Sequence, residues 1–203
     1  TANATYVLSA TPSLNLKSVP DLIALAKAKP GQINFSSAGS GSGTHFAGEM
    51  FKQSANIDVV HIPFKGIPES LTDVISGRVQ FTMAPIASSV SLIKEGRLRA
   101  LGVSSKKRSS LYPDLPTIAE QGITGFNMDA WFAAWAPGGT PPDIIAKYNT
   151  VLREILAEPE TRASLGRQGV SVSVSTPEEL DRINRNEYEV LAKLVKAANI
   201  KGD

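Results

Sequence analysis

Cysteine is absent from the 203 residues, and histidine occurs only twice. The lack of thiols excludes disulfide bridges, thiol catalysis and thiolate metal sites. The two histidines, His45 and His61, stand far apart in the sequence without the spacing of metal ligands, so no metal site is expected. A chain without cysteine suits an oxidising compartment.

An excess of one charge and a long apolar run are also missing. The 21 Lys and Arg residues against 19 Asp and Glu residues give a net charge of +2, too balanced to favour nucleic acid or an anionic membrane. No stretch approaches the roughly 20 apolar residues of a membrane span. The first ten residues, TANATYVLSA, lack a basic segment followed by an apolar one, so any export signal is expected to have been removed or never to have existed.

Strand-like and helix-like patterns alternate from about Ser18 to Ser105. Helices are predicted from Ser18, from Thr44, over 69–76 and over 88–95, and strands over 33–38, 58–64, 79–84 and 99–104. Repeated strand–helix–strand units predict right-handed crossovers and an α/β fold with a parallel sheet covered by helices on both faces.

The C-terminal third is predicted to be mostly helical. Residues 126–136 form one predicted strand that crosses between regions, with Trp131 and Trp135 on the same side. Core packing is the simpler interpretation, and the alternative is that the crossing strand places one of them near a cleft. Helices follow over 143–156 and 160–168, then a short strand over 170–174 and a long helix to 198 that a Thr176–Glu179 capping box opens. These helices have hardly any sheet to pack against, so they either wrap the first domain or belong to a domain of which part lies outside this chain.

The densest glycine and serine cluster, SSAGSGSGTHFAGEMF, stands between a predicted strand and a predicted helix. A Walker A loop is excluded because no lysine lies between Lys29 and Lys52. A dinucleotide fingerprint fails because Thr44 or Phe46 stands where the third glycine belongs. The G-x-S-x-G pattern of a nucleophile elbow does not occur either. No cofactor is therefore expected.

Two interpretations of this loop remain open on the residues alone. The unpaired N–H groups and the dipole at a helix N-terminus bind a carboxylate or phosphate, and the Ser42 and Thr44 hydroxyls add donors. Alternatively, the loop is only a tight turn in which Thr44 caps the helix.

Ligands of parallel α/β sheets collect at the carboxyl ends of the strands. Lys65, at one such end, offers a positive charge or is simply a solvated turn residue, and His45 near the loop is more simply a packing residue than a metal ligand. His61 alternates with apolar neighbours and is expected at the edge of the core.

Several segments in order resemble the Bug family, the periplasmic solute-binding proteins of tripartite tricarboxylate transporters. They are SVPDLIALAKAKPGQINFSSAGSGSGTHFAGEMFK, HIPFKGIPESLTDVISGRVQFTM, IKEGRLRALGVSSKKRSSLYPDLPTIAEQGITGF and APGGTPPDIIAKYN. The resemblance covers essentially the whole chain and implies a type II periplasmic-binding-protein-like fold without catalysis. It implies a periplasmic location, a small organic acid anion as ligand (a dicarboxylate, tricarboxylate or aromatic acid), and membrane permease subunits as partners.

Carried onto this sequence, the family's ligand contacts fall on three strand ends. The residues so implied are Ala38, Gly39, Ser40, Gly41, Ser42, Gly43, Thr44, His45, Phe64, Lys65, Gly66, Met83, Ala84 and Pro85. The resemblance divides the chain into a ligand-binding α/β lobe over 1–125, a crossover strand and linker over 126–140, and helices of the other lobe over 141–203. Family members carry a further N-terminal segment of that other lobe, so we expect the lobe to be incomplete here and the chain to associate with itself through the exposed face.

Two alternatives of other classes stay open. One is the effector-sensing α/β domain of a transcription regulator, which would need a helix-turn-helix segment. The other is a serine hydrolase using Ser40 or Ser42, which would need a base and an acid beside the hydroxyl.

Overall fold

The computed structural model describes residues 2–200. Its strands are β1 (Ala2–Ala10), β2 (Asn34–Ser37), β3 (Val60–Pro63), β4 (Phe81–Pro85), β5 (Arg99–Val103), β6 (Asp129–Phe132) and β7 (Val170–Val172). Its helices are α1 (Val19–Ala28), α2 (Gly43–Ala55), α3 (Ile67–Ile75), α4 (Ile86–Lys94), α5 (Pro142–Ala157), α6 (Pro159–Arg167) and α7 (Pro177–Ala198).

Local sequence signals account for several of these boundaries. The Ser18 hydroxyl caps α1 by accepting from the Asp21 N–H at 3.3 Å. The predicted capping box of α7 is confirmed, because the Thr176 hydroxyl accepts from the Glu179 N–H at 3.2 Å and the Glu179 carboxylate accepts from the Thr176 N–H at 2.9 Å. The strand predicted over 126–136 is wrong in extent, since only Asp129–Phe132 pairs as a strand.

The main sheet has the strand order β3-β2-β4-β1-β5. β2 pairs in parallel with β3 and β4. β1 lies antiparallel between β4 and β5, so the four strands predicted from the alternating pattern run in one direction. The α/β fold is confirmed, but the sheet is mixed rather than uniformly parallel because β1, which no pattern predicted, is inserted between β4 and the edge strand β5.

β1 also joins the two parts of the molecule. Its second half, from Tyr6, pairs with β4 and β5, whereas Ala2–Thr5 pairs with β6 and Ala2–Ala4 with β7. One strand therefore runs from the main sheet into the small sheet of the C-terminal part.

Two hydrophobic clusters cover opposite faces of the main sheet. Leu8 of β1 and Met83 of β4 belong to one cluster, and their chain neighbours Val7 and Ala84 belong to the other. Such alternation is what a strand buried on both faces produces. The first cluster also contains three fully buried aromatic rings, Phe35, Phe51 and Phe81.

The C-terminal part is packed less fully. No residue of α5 or α6 is buried, and α5 exposes five large apolar side chains: Ile144, Tyr148, Val151, Leu152 and Ile155. Two of them, Tyr148 and Leu152, line an open groove of about 850 Å³ that α5 forms with the segments after β6 and β7. Trp135 lies in this groove and is 64% exposed, so the core interpretation is wrong for Trp135, and Trp131 is half-buried.

Over residues 2–200, none of the helices combines the length and apolar character that crossing a membrane requires.

Candidate anion-binding site

The glycine–serine loop, residues 38–42, connects the carboxyl end of β2 to the N-terminus of α2, as predicted. Ser42 is the N-cap of α2, and its hydroxyl accepts from the His45 N–H at 3.3 Å. The alternative in which Thr44 caps the helix is therefore wrong in the position of the cap. The cap belongs two residues earlier because Ser42 has the extended backbone that an N-cap requires.

Hydroxyl groups brace this loop from inside. The Ser42 hydroxyl donates to the Gly39 carbonyl at 2.7 Å, so the Thr44 hydroxyl supplies the proton of the 2.9 Å bond between the two side chains. Thr44 Oγ1 also accepts from the Ala38 N–H at 2.8 Å. Because each hydroxyl has one proton, neither has one left to donate to a ligand. Their observed role is to hold the loop's shape.

Three backbone N–H groups at the loop and the helix start remain free. Within the described residues, no acceptor faces the N–H of Ser40, Gly43 or Thr44. The helix behind them has 13 residues, and its dipole adds partial positive charge at this end. Free N–H groups at a helix N-terminus are the chemistry that binds carboxylates and phosphates.

Glycine is required where the loop meets the segment after β3. Gly39 has φ +130°, and a Cβ there would lie 3.3 Å from the Phe64 carbonyl oxygen. The Phe64 N–H in turn donates to the Ser37 carbonyl at 3.1 Å. The carboxyl ends of β2 and β3 thus approach each other through their backbones.

A groove of about 400 Å³ lies at this meeting point. It is lined by Gly39, Ser40, Pro63, Phe64, Lys65 and Glu69. The exposed Lys65 places a cation there, and Glu69, in the first turn of α3, adds an opposite charge that the sequence analysis did not include in the site. The sequence did contain a signal for the position of Glu69, because an acidic residue three positions after Gly66 is typical of the first turn of a helix.

The third predicted strand end is positioned differently. The side chains of Met83 and Ala84 are buried in the two core clusters, and their backbones pair with β1. Pro85 is half-buried and starts α4. Of these three predicted residues, only Pro85 has a side chain that reaches the surface.

The two histidines lie together beneath the loop. Their rings stack with centroids 3.7 Å apart and an angle of 10° between the planes. His45 is only 6% exposed, and its Nδ1 accepts from the Gly41 N–H at 3.1 Å. His61 Nε2 bonds to the Ser37 hydroxyl at 2.6 Å. The expected edge-of-core position of His61 agrees with its partial burial, but its contact with His45 was not foreseen.

The surroundings keep both rings neutral near pH 7. Burial, together with the charge of Lys52, lowers the pKa of His45. Burial first, then His45 and Lys52, lowers the pKa of His61 to about 4.

The Ser37–His61 pair resembles the nucleophile–base contact that the hydrolase alternative needs, but Ser37 is fully buried. A hydroxyl with no exposed surface cannot reach a substrate bond.

A polar cluster that the sequence analysis missed borders the start of α2. The Tyr6 hydroxyl lies so close to Gly43 that a side chain there would collide with it. Burial, with the nearby Asp129 and Glu187 carboxylates, raises the pKa of Tyr6 to about 12. Burial also raises the pKa of Asp129, which accepts from the Ser104 hydroxyl at 3.2 Å. Tyr6 therefore stays protonated beside Gly43 at the start of α2.

Metal ligation has no support in this region. Among residues 2–200, His, Asp and Glu side chains do not gather in any group of three or more that could hold an ion.

Comparison with known proteins decides the family. The family model described as the tripartite tricarboxylate transporter family receptor matches residues 1–200. The chain belongs to this receptor family. Protein BugT of Bordetella pertussis is 32% identical over 195 residues, which are 96% of this chain and 60% of that protein. The resemblance to the Bug proteins is thus confirmed.

A second curated relative is the protein from the tcbD–tcbE intergenic region of Pseudomonas sp. strain P51. It is 32% identical over 180 residues, which are 88% of this chain and 54% of that protein. The receptor-family chain therefore spans little more than half the length of the curated relatives it matches.

Solved structures of the family share the fold. The R. palustris protein solved with adipate has a TM-score of 0.86 and 32% identity, over 98% of this chain and 67% of its own. BugD, described as a periplasmic binding protein, has a TM-score of 0.82 and 26% identity, over 100% and 68%. MatC of Rhodopseudomonas palustris, solved with malate, has a TM-score of 0.78 and 25% identity, over 96% and 67%. The predicted periplasmic-binding-protein fold is confirmed.

Proposed function

We propose that the protein is an extracytoplasmic solute-binding protein that captures a small organic carboxylate for a tripartite tricarboxylate membrane transporter. The observation that carries the proposal is the set of three free N–H groups of Ser40, Gly43 and Thr44 at the N-terminus of α2. Two structural neighbours of the family were solved with the dicarboxylates adipate and malate. Their ligands support a carboxylate as the anion.

The chemistry of the loop suits reversible capture rather than catalysis. Backbone donors bind an anion without transferring a proton, and the two braced hydroxyls keep those donors in place before the ligand arrives. Periplasmic residence and delivery to permease subunits are part of this proposal, supported by the family's description as a transporter receptor.

Thermal stability of the full-length protein with a panel of carboxylates tests the ligand class. A ligand that binds only the folded state stabilises it by RT ln(1 + [L]/Kd), about 2.7 kcal/mol at a hundredfold excess over Kd. We expect adipate, malate, a tricarboxylate or an aromatic acid to raise the melting temperature, and matched neutral amides to leave it unchanged. No shift with any member of the panel, confirmed by calorimetry, would refute the proposal.

Charge in the 400 Å³ groove should tune the affinity for that carboxylate. Replacing the exposed Lys65 by Gln removes an attractive charge, so the dissociation constant should rise by about two- to fivefold, in the range of exposed ion pairs. Glu69→Gln removes a repulsive charge and should lower the constant by a similar factor.

Titration calorimetry at low and high salt measures both effects. Lys29→Gln, at the end of α1 and outside the groove, is the matched control and should leave the affinity unchanged. If Lys65→Gln and Lys29→Gln had equal effects, the groove would not be the anion site.

We also propose that the chain divides into a lobe over 1–125 and a part of the other lobe over 141–203, with a linker between them. In the solved neighbours, about a third of each chain lies outside the part that this chain matches. The exposed apolar side chains of α5 support an arrangement in which this surface packs against further protein. For the 203-residue chain by itself, we propose that a second copy covers it.

Sedimentation velocity tests this association. The 203-residue chain should sediment as a dimer or larger species in a concentration-dependent manner. Leu152→Glu places a charge in the groove and should shift the equilibrium to monomer, whereas Lys147→Glu, on the same helix but outside the groove, should not. A monomeric wild-type chain at high concentration would contradict the proposal.

A further inference from the structure

Of the two stacked imidazoles, His45 contacts the anion-binding loop directly and His61 contacts it through Ser37, the last residue of β2. His45 Nδ1 accepts the Gly41 N–H at 3.1 Å, and His61 Nε2 bonds to the Ser37 hydroxyl at 2.6 Å. The Ser37 hydroxyl also bonds to the backbone of Gly39 at 3.1 Å. Both contacts therefore act on the loop residues that shape the anion cradle.

The contact to Gly41 exists in only one protonation state of His45. A neutral imidazole has one acceptor nitrogen, and here that acceptor is Nδ1, so the proton resides on Nε2. In the imidazolium both nitrogens are donors, and the Gly41 N–H would then face another N–H. The His61 bond is less sensitive, because a serine hydroxyl accepts from a ring N–H as well as donating to a ring nitrogen.

The stack makes protonation of the pair unfavourable. With centroids 3.7 Å apart, a charge on one ring raises the cost of a charge on the other. Phe35 lies beside the stack, with its ring centroid 4.9 Å from that of His61 and 6.4 Å from that of His45, so this side of the pair is apolar.

We propose that His45 and His61 form a positioning pair that holds the glycine–serine loop in its anion-binding shape while both rings are neutral, and that protonation of His45 releases Gly41 and weakens ligand capture. The inference rests on the proposed function, since the loop is taken to be the anion cradle.

The charged groups around the pair also disfavour protonation of the two rings. Lys52, about two helical turns beyond His45 on α2, lowers the pKa of both rings. Glu49 is buried on the same helix, and its carboxylate lies 4.0 Å from the Lys52 ammonium. Burial raises the pKa of Glu49, so acidification neutralises this carboxylate early and leaves Lys52 less compensated. Tyr6 on β1 stays neutral at any pH at which the histidines titrate.

The sign of the pH effect follows from the lowered pKa values. The unfolded chain protonates its histidines near pH 6.5, and His61 in the folded protein protonates only near pH 4. Between these values the unfolded state binds more protons, so the stability contributed by the neutral pair is present above about pH 6.5 and is lost as the pH falls towards 4. At physiological pH both histidine rings are therefore neutral, and the loop keeps its anion-binding shape.

Nitrogen-detected histidine NMR of the ligand-free, full-length protein tests the pair without any ligand. We expect His45 to carry its proton on Nε2 at neutral pH and to titrate below the 6.5 of an ordinary histidine. The Gly41 amide signal should move with the same midpoint. A proton on Nδ1 at neutral pH, or a Gly41 signal that stays constant while His45 titrates, would overturn the proposal.

The affinity for adipate between about pH 7.5 and about pH 4.5 gives the second arm. His45→Gln retains a side-chain acceptor for the Gly41 N–H but does not titrate, so it corrects for protonation of the adipate itself. Relative to this variant, the wild-type affinity should fall by about tenfold over that range, as expected when a hydrogen-bond partner is lost.

These outcomes distinguish a failure of the positioning role from a failure of the proposed carboxylate-binding function. Parallel pH profiles of wild type and His45→Gln would overturn the positioning role while leaving carboxylate binding intact. If no carboxylate bound at any pH, the proposed function would fail, and the NMR titration alone would still decide whether the pair controls the loop.

Discussion

Replacing Gly48 by alanine should destabilise the protein by about 3 kcal/mol, the upper part of the range for overpacking a core. Gly48 lies in α2 directly over the fully buried ring of Phe35, and an added Cβ would sit 2.6 Å from Cδ2 and 3.1 Å from Cζ of that ring. The ring cannot move aside easily, because it also stacks on Phe81 at 5.7 Å and on His61 at 4.9 Å. Urea unfolding followed by circular dichroism measures the loss.

Gly166 provides the matched control, since it is also a helical glycine, in α6, and has nothing within 4 Å of an added Cβ. Gly166→Ala should raise the free energy of unfolding by about 0.5–1 kcal/mol, because alanine loses less backbone freedom than glycine in a helix. A Gly48→Ala variant as stable as wild type would mean that α2 does not approach β2 as closely as the structure shows.

Helices and strands of the main sheet were predictable because their signals are local. Ser18 caps α1, and the Thr176–Glu179 capping box opens α7. Each of these signals lies within a single helical turn of the sequence. The position of the glycine–serine loop was predictable for the same reason, since the loop follows a strand and starts a helix. What these signals establish is the order of elements.

Strand β1 was missed because its placement depends on distant partners. The sequence TANATYVLSA contains an apolar stretch that is compatible with several structures, and it becomes a strand by pairing with β4 and β5 on its two sides. Short apolar runs of this kind are ambiguous without tertiary context. The same strand places Tyr6 beside α2, which explains why that residue could not be assigned to the site.

The contact between His45 and His61 is the clearest case of a feature that could not be predicted from the sequence. Sixteen positions separate His45 from His61, and a spacing argument correctly finds no metal-ligand pattern there. Their rings meet because β2 and β3 pair in parallel, with Phe35 opposite His61, and α2 packs its first turn over the same point. A contact made by strand register and helix packing has no trace in the linear spacing.

Replacing Gly39 by alanine should lower the affinity for carboxylates by about 10- to 100-fold. At φ +130° an alanine adopts a backbone conformation that is essentially reserved for glycine, at a cost of about 1–3 kcal/mol. The new Cβ would also press on the Phe64 carbonyl oxygen at 3.3 Å, so the loop should change shape. Such a change breaks the bonds from Gly39 to Ser37 and Ser42 and displaces the free N–H groups from their common position.

Gly122→Ala is the control that distinguishes the loss of stability caused by backbone strain from a loss of ligand affinity. Gly122 has φ +104°, lies after a short 3₁₀ turn outside the groove, and has nothing within 4 Å of an added Cβ. Both variants should therefore lose stability, measured by thermal unfolding, with the larger loss in Gly39→Ala because of its contact with Phe64, but only Gly39→Ala should lose affinity in titration calorimetry with adipate. Wild-type affinity in a folded Gly39→Ala variant would show that the loop's shape is not what holds the ligand, whereas an equal loss in Gly122→Ala would attribute the effect to global stability.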